Sequence, residues 1–166
     1  MEGLRRYLSP KAKKAYLNYY ISASEAIKGY NESEAASMED NDCVVRALAA
    51  TTEVSYEESL EYCKTKLGRK FRRGVNTGKL LDTLREGTVF NKRFLELPGA
   101  TFYKVEGIKV QRQMTVGTLL KKHNVGTYFV LIAHHAFAVK DGKVVGGNLQ
   151  DAYRLRARIV RLYSVK

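Results

Sequence analysis

The chain has 166 residues, 45% of them hydrophobic and 28% charged, with two prolines and no low-complexity tract. That length and composition suit one globular domain whose core needs neither disulfides nor metals, and they speak against disorder. The 29 Lys and Arg against 17 Asp and Glu give a formal net charge of +12, which attracts polyanions through the long-range field without dictating a fold.

No run approaches the roughly 18 apolar residues of a membrane span, and the opening MEGLRRYLSPKAKK is charged throughout, unlike the apolar core of a secretion signal. The expectation is a soluble protein that starts in a cytoplasm and has no membrane partner. Cys43 and Cys63 are too few for a disulfide framework and are expected as free thiols.

In chain order, Ser9-Pro10 reads as a helix start, with a capping Ser and Pro at the first helical position, and no breaker follows until Gly29. The expectation is a helix over 11–29 packed on the body through Tyr16, Leu17, Tyr20, Ile21 and Ile27. Residues 30–42 (YNESEAASMEDND) are acidic and without apolar periodicity, as in a linker. Residues 1–40 are therefore expected to be a helix and linker packed on a main domain over 41–166.

Cys43–Ala50 (CVVRALAA) suits a helix buried on most sides and capped by Asp42 or Asn41. Ser55-Tyr-Glu-Glu58 is a capping box that predicts a helix over 56–66. Residues 67–78 (LGRKFRRGVNTG) read as an exposed basic loop, after which Thr77 can cap a helix to about Glu86. A strand is predicted over 101–106 and a short helix over 115–122. The run TYFVLIAHHAFAVKDGKVV from Thr127 gives two apolar strands, then an Asp141-Gly142 pair that closes a hairpin. Arg154–Ile159 alternates basic and apolar residues and predicts a closing strand. The fold class is α+β, with N-terminal helices on a small antiparallel sheet.

A cysteine at a helix N-terminus meets unpaired amides and the positive end of the dipole, both of which favour its thiolate. Cys43 has that position. The same amides can donate to an oxyanion in acyl transfer, and Asn41 is a candidate second donor. A general base must come from a rigid element distant in sequence, and His134 and His135 both qualify. Strand parity alone does not choose between them.

Asn41-Asp42-Cys43-Val-Val-Arg46-Ala-Leu48, followed far downstream by His135-Ala-Phe-Ala-Val-Lys-Asp141-Gly142, resembles the small papain-like cysteine peptidase domains of phage and bacterial proteins, over roughly residues 41–163. The resemblance implies a papain-like fold in which Cys43 opens the central helix as nucleophile and His135 is the base. It also implies an Asn or Asp that orients the imidazole. An acid often follows the second strand of the hairpin in such domains, where this chain has Val145-Gly146-Gly147. Asn148 and Asp151 are the alternatives, with Asn148 nearer the strand end. The function implied is a peptidase or amidase acting on a peptide or protein, with no cofactor.

The basic residues support an alternative, a weak or inactive papain-like framework used for binding, such as a virion component that contacts nucleic acid or an acidic protein surface. Its candidate polyanion contacts are Arg69, Lys70, Arg72 and Arg73 in the loop and Arg154, Arg156 and Arg158 on one strand face, with Phe71 and Tyr153 interleaved. Cys63 reads as core and His123 as a solvated helix end. No cysteine and histidine spacing matches a zinc site, so no metal is expected. GRKFRRGVNTGK is not a phosphate loop, because Leu80 stands where a Ser or Thr would hold magnesium.

Overall fold

The computed structural model describes residues 10–11, 18–146 and 155–166, with Thr101 and Tyr103 described by backbone alone. Its elements are β1 (Tyr20–Ile21), α1 (Ala23–Ala26), α2 (Glu34–Met38), α3 (Cys43–Thr52), α4 (Tyr56–Lys66) and α5 (Thr77–Glu86), then β2 (Thr88–Val89), β3 (Lys92–Leu97), β4 (Ala100–Val105) and β5 (Ile108–Gln113). α6 (Val116–Lys122), β6 (Thr127–Ile132), β7 (His135–Lys140), β8 (Lys143–Val145) and β9 (Ile159–Val165) complete the order. The class is α+β. The main sheet runs β1-β8-β7-β6-β9-β3-β2, and β4-β5 forms a separate ribbon. Only the β1–β8 pairing is parallel among these strands. No helix among the described residues is long and apolar enough to cross a membrane.

The apolar runs of β6 and β7 arise because both faces of the sheet are buried. Phe129, Ala136, Ala138, Tyr163 and Val165 belong to the core under α3, α4 and α5. Their alternates Tyr128, Val130, Phe137, Val139 and Leu162 belong to a second core with Leu119 and Leu120 of α6. A strand covered on both faces loses the polar alternation of a half-solvated one. Asp141 and Gly142 both take positive φ, 48° and 75°, as a tight hairpin turn between β7 and β8 requires.

Local signals fix several helix starts. Ser55 and Glu58 complete both halves of the capping box at α4. α5 begins at Thr77, but its cap is Asn76, whose side chain accepts from Lys79 N at 3.0 Å. Thr115 caps α6 in the same way.

Three sequence expectations are corrected. The helix over 11–29 is not continuous: Tyr20 and Ile21 are extended and pair with Val144 and Val145. Tertiary pairing outweighs local helix tendency there, at two residue types that also suit strands. The 30–42 linker contains α2, whose cap Ser33 accepts from Ala36 N at 3.1 Å. The closing strand begins at Ile159, where the predicted one ends, so Arg156 and Arg158 precede β9 and do not line one face of it. Arg158 instead bridges Thr115 and donates to the Gln113 carbonyl at 3.0 Å.

The basic loop also differs from expectation. Arg69 is buried, with Nη1 2.8 Å from Glu39 Oε2, and it donates to the carbonyls of Asp40 (2.9 Å) and Lys70 (3.1 Å). Arg72 pairs with Asp40 and takes its backbone N–H to Glu39 Oε2 at 3.0 Å. The acidic stretch before Cys43 therefore folds onto the basic loop, which removes Arg69 from the solvent-facing cations.

Removing one partner of a buried ion pair leaves an uncompensated charge. Arg69→Met is expected to lower unfolding free energy by about 3–5 kcal/mol in urea denaturation. Adding Glu39→Leu to it should recover much of that loss.

Candidate active site

α3 is short, alanine-rich and almost wholly buried, with only Cys43 and Arg46 partly exposed. Its alanines and those of β7, Ala136 and Ala138, share one core. Small side chains on both surfaces allow close approach of helix and strand. The Ser59 hydroxyl donates to the Val45 carbonyl at 2.7 Å and ties α4 to the helix.

Asp42 is the N-cap of α3, but its side chain makes no capping hydrogen bond. One carboxylate oxygen accepts from the Tyr56 hydroxyl at 2.8 Å, and the other lies 3.0 Å from Arg46 Nε. The latter is an ion pair without hydrogen-bond alignment, since Nε has no hydrogen-bond partner. Arg46 Nη1 donates to the Gly146 carbonyl at 3.2 Å, linking the helix start to the end of β8. Burial, and then the Asp42 charge, push the Tyr56 hydroxyl well above its ordinary pKa, so it remains a donor. With Asp42 turned aside, the first-turn amides of α3 are not capped by its carboxylate, as a site that stabilises an oxyanion requires.

β6 and β7 are joined through Ala133 and His134, with Ile132 paired to His135. His134 is exposed in that turn at φ 58°, whereas His135 is half-buried as the first residue of β7. The two histidines are therefore not adjacent residues of one strand, as the sequence reading assumed. Parity places His135 with Phe137, on the strand face opposite Ala136 and Ala138, and the two rings stack at 5.8 Å and 29°; as the first residue of β7, His135 still borders the space that Cys43 lines.

Cys43, His134 and His135 line the same cleft, of about 380 Å³, between α3, the start of α5 and the ends of β6 and β7. Val44, Val75, Leu80, Leu131 and Val160 make its wall largely apolar. Val160 falls at a register shift between β6 and β9, where Leu131 faces Arg161 and Ile132 faces Ile159. Such bulges re-aim side chains and recur beside functional sites. Cys43 and His135 also line a much smaller space with Arg46, Phe137 and Gly146.

Of the other predicted residues, Asn41 lies just before the helix at φ 52°, with Nδ2 donating to the Arg72 carbonyl at 3.2 Å. Asn148, Asp151, Tyr153 and Arg154 lie outside the described residues. Lys70, Arg72 and Arg73 are exposed. Arg46, Tyr56 and the apolar wall of the cleft were not singled out from sequence. Asp42 and Arg46, four apart at a helix start, carry a readable pairing signal, whereas the wall comes from four separate segments. Among the described residues no group of three or more His, Cys, Asp or Glu gathers as metal ligands.

Comparisons with protein-family models, with curated proteins and with solved structures find no match to this chain.

The two thiols differ in environment. Cys43 is partly accessible, whereas Cys63 is buried in the core, and that burial pushes its thiol up to about 12. The folded state thus holds the Cys63 proton above the ordinary 9.0; its stabilising contribution is intact below that pH and is lost as pH rises through about 12. Iodoacetamide at pH 8 should alkylate Cys43 in the native protein and reach Cys63 only after unfolding, as read by peptide mapping.

Proposed function

We propose that this chain is a papain-like cysteine hydrolase that cleaves peptide or other amide bonds with Cys43 as nucleophile and His135 as general base. The observation that carries the reading is that Cys43, at the start of a buried helix, and His135, at the start of a sheet strand far away in sequence, line one cleft with His134 and, without His134, a smaller space beside Arg46. A cysteine-bearing helix packed across a mostly antiparallel sheet that bears the histidine fits a papain-like arrangement.

In the reaction, His135 takes the Cys43 proton and the thiolate attacks the substrate carbonyl carbon, forming a C–S bond and an oxyanion. The first-turn amides of α3 are the fixed donors for that oxygen. Asn41 is a lesser candidate, because its amide already donates to Arg72. Collapse breaks the C–N bond as the His135 imidazolium protonates the leaving amine. Water, deprotonated by His135, then attacks the thioester, and Cys43 leaves as the acid product forms. Asn148 and Asp151, the orienters of His135 that the resemblance implies, lie outside the described residues. The apolar wall favours a substrate with an aliphatic or aromatic side chain beside the scissile bond.

The test compares the rate of labelling by a thiol-directed epoxide probe in wild type, Cys43→Ala, His135→Ala and Cys63→Ala, alongside hydrolysis of a peptide and isopeptide panel. His135→Ala should slow labelling by about 10²-fold or more. Cys63→Ala should label like wild type, and Cys43→Ala should neither label nor hydrolyse. Equal rates for wild type and His135→Ala would remove His135 from the mechanism.

A further inference from the structure

The β4–β5 ribbon stands apart from the main sheet. Its root is held by Met114 N donating to the Gly99 carbonyl at 2.7 Å and by the buried Met114 side chain. Beyond that root, β5 is exposed at every residue except Val110. Directly opposed residues of an antiparallel pair share a face. The register pairs Phe102 with Gln111 and Lys104 with Lys109, so one face carries Phe102, Lys104, Lys109, Gln111 and Gln113.

Two features of that face call for an outside partner. Phe102 is 55% exposed. Lys104 and Lys109 are like charges placed directly across the pair, an arrangement that costs stability. Among the described residues no carboxylate forms an ion pair with either lysine. Lys109 instead holds its ammonium 4.4 Å from the Phe102 ring centroid. The contrast with the basic loop is direct, since Arg69 and Arg72 there are neutralised by Glu39 and Asp40.

We propose that this face of the β4–β5 ribbon binds single-stranded nucleic acid, with an unpaired base stacked on Phe102 and backbone phosphates on Lys104 and Lys109. Two cations on the turn side of an exposed aromatic ring set phosphate contacts next to a stacking platform, as a single strand requires; Lys109 lies over one face of the ring, so the base takes the other. An acidic protein surface would satisfy the lysines but would need an apolar side chain among its acids to cover the ring. In a duplex the bases are stacked on one another and closed to it. Gln111 and Gln113 add amides able to donate to and accept from base edges. The inference stands apart from the hydrolase reading and survives its failure.

The experiment is fluorescence anisotropy of the full chain with labelled oligo-dT, oligo-rU and a dA·dT duplex, each about 20 nucleotides, longer than a single-module site. Salt is varied between about 50 and 200 mM. Either single strand should bind more tightly than the duplex. Phe102→Ala and Phe102→Leu should each weaken binding roughly 5- to 150-fold, with thermal melts unchanged because the ring is exposed. Lys104→Gln with Lys109→Gln should flatten the log–log salt slope by about 1.4, two phosphate contacts at about 0.7 each. Lys70→Gln with Arg73→Gln should leave that slope in place. The proposal is overturned by no binding at the lowest salt, by duplex binding as tight as single strand, by unchanged affinity of the Phe102 variants, or by an equal loss from the Lys70/Arg73 pair.

Discussion

The close seating of α3 on β7 is the contact from which the cleft takes its shape. A helix of larger residues would stand further off the strand, and Cys43 would be carried away from the end of the sheet. Here alanines meet a strand whose facing positions are Ala136 and Ala138. The same economy makes the helix intolerant of growth, because overpacking a filled interface costs about 1–3 kcal/mol in side-chain and backbone displacement. The position of the thiol therefore rests first on apolar packing, to which the Ser59 and Arg46 hydrogen bonds add.

A second layer of control is electrostatic. Asp42 could have capped its own helix, yet its carboxylate is spent on Tyr56 and Arg46. The helix forgoes a cap interaction of roughly 1 kcal/mol and leaves its leading amides for another acceptor. Arg46 then extends the node across the sheet edge to Gly146. Under it, Glu39 and Arg69 neutralise each other where neither touches solvent. Much of the charge around Cys43 is thus fixed by partners within the fold.

Elements with strong local grammar were legible in the sequence. The capping box of α4 and the Asp141-Gly142 turn needed no tertiary knowledge. Cys43 was legible from its helix position, whereas His135 was set apart from His134 only by the resemblance; the fold brings all three to one cleft. The failures share a physical cause. β1 is two residues long and exists only because β8 offers it an edge. β2 and β3 had no expectation attached, since Phe94 is buried while its neighbour Leu95 is exposed amid charged residues, a weak alternation. The Glu39–Arg69 pair joins segments with no sequence relation, so a loop that reads as solvated holds a buried cation.

The pairing of β1 with β8 bears on the order in which the molecule assembles. Tyr20 and Ile21 must find Val144 and Val145 from the opposite end of the chain, and a loop of that length is costly to close before other contacts hold its ends. The hairpin of β7 and β8 is local and can form first, leaving β8 as a temporary edge until β1 arrives. A two-residue seal of this kind is among the last to form and the first to open. Its Ile21 carbonyl accepts from Gly146 N at 2.8 Å, so each opening frees the residue against which Arg46 is anchored. The N-terminal strand thereby couples the outer edge of the sheet to the start of the cysteine-bearing helix.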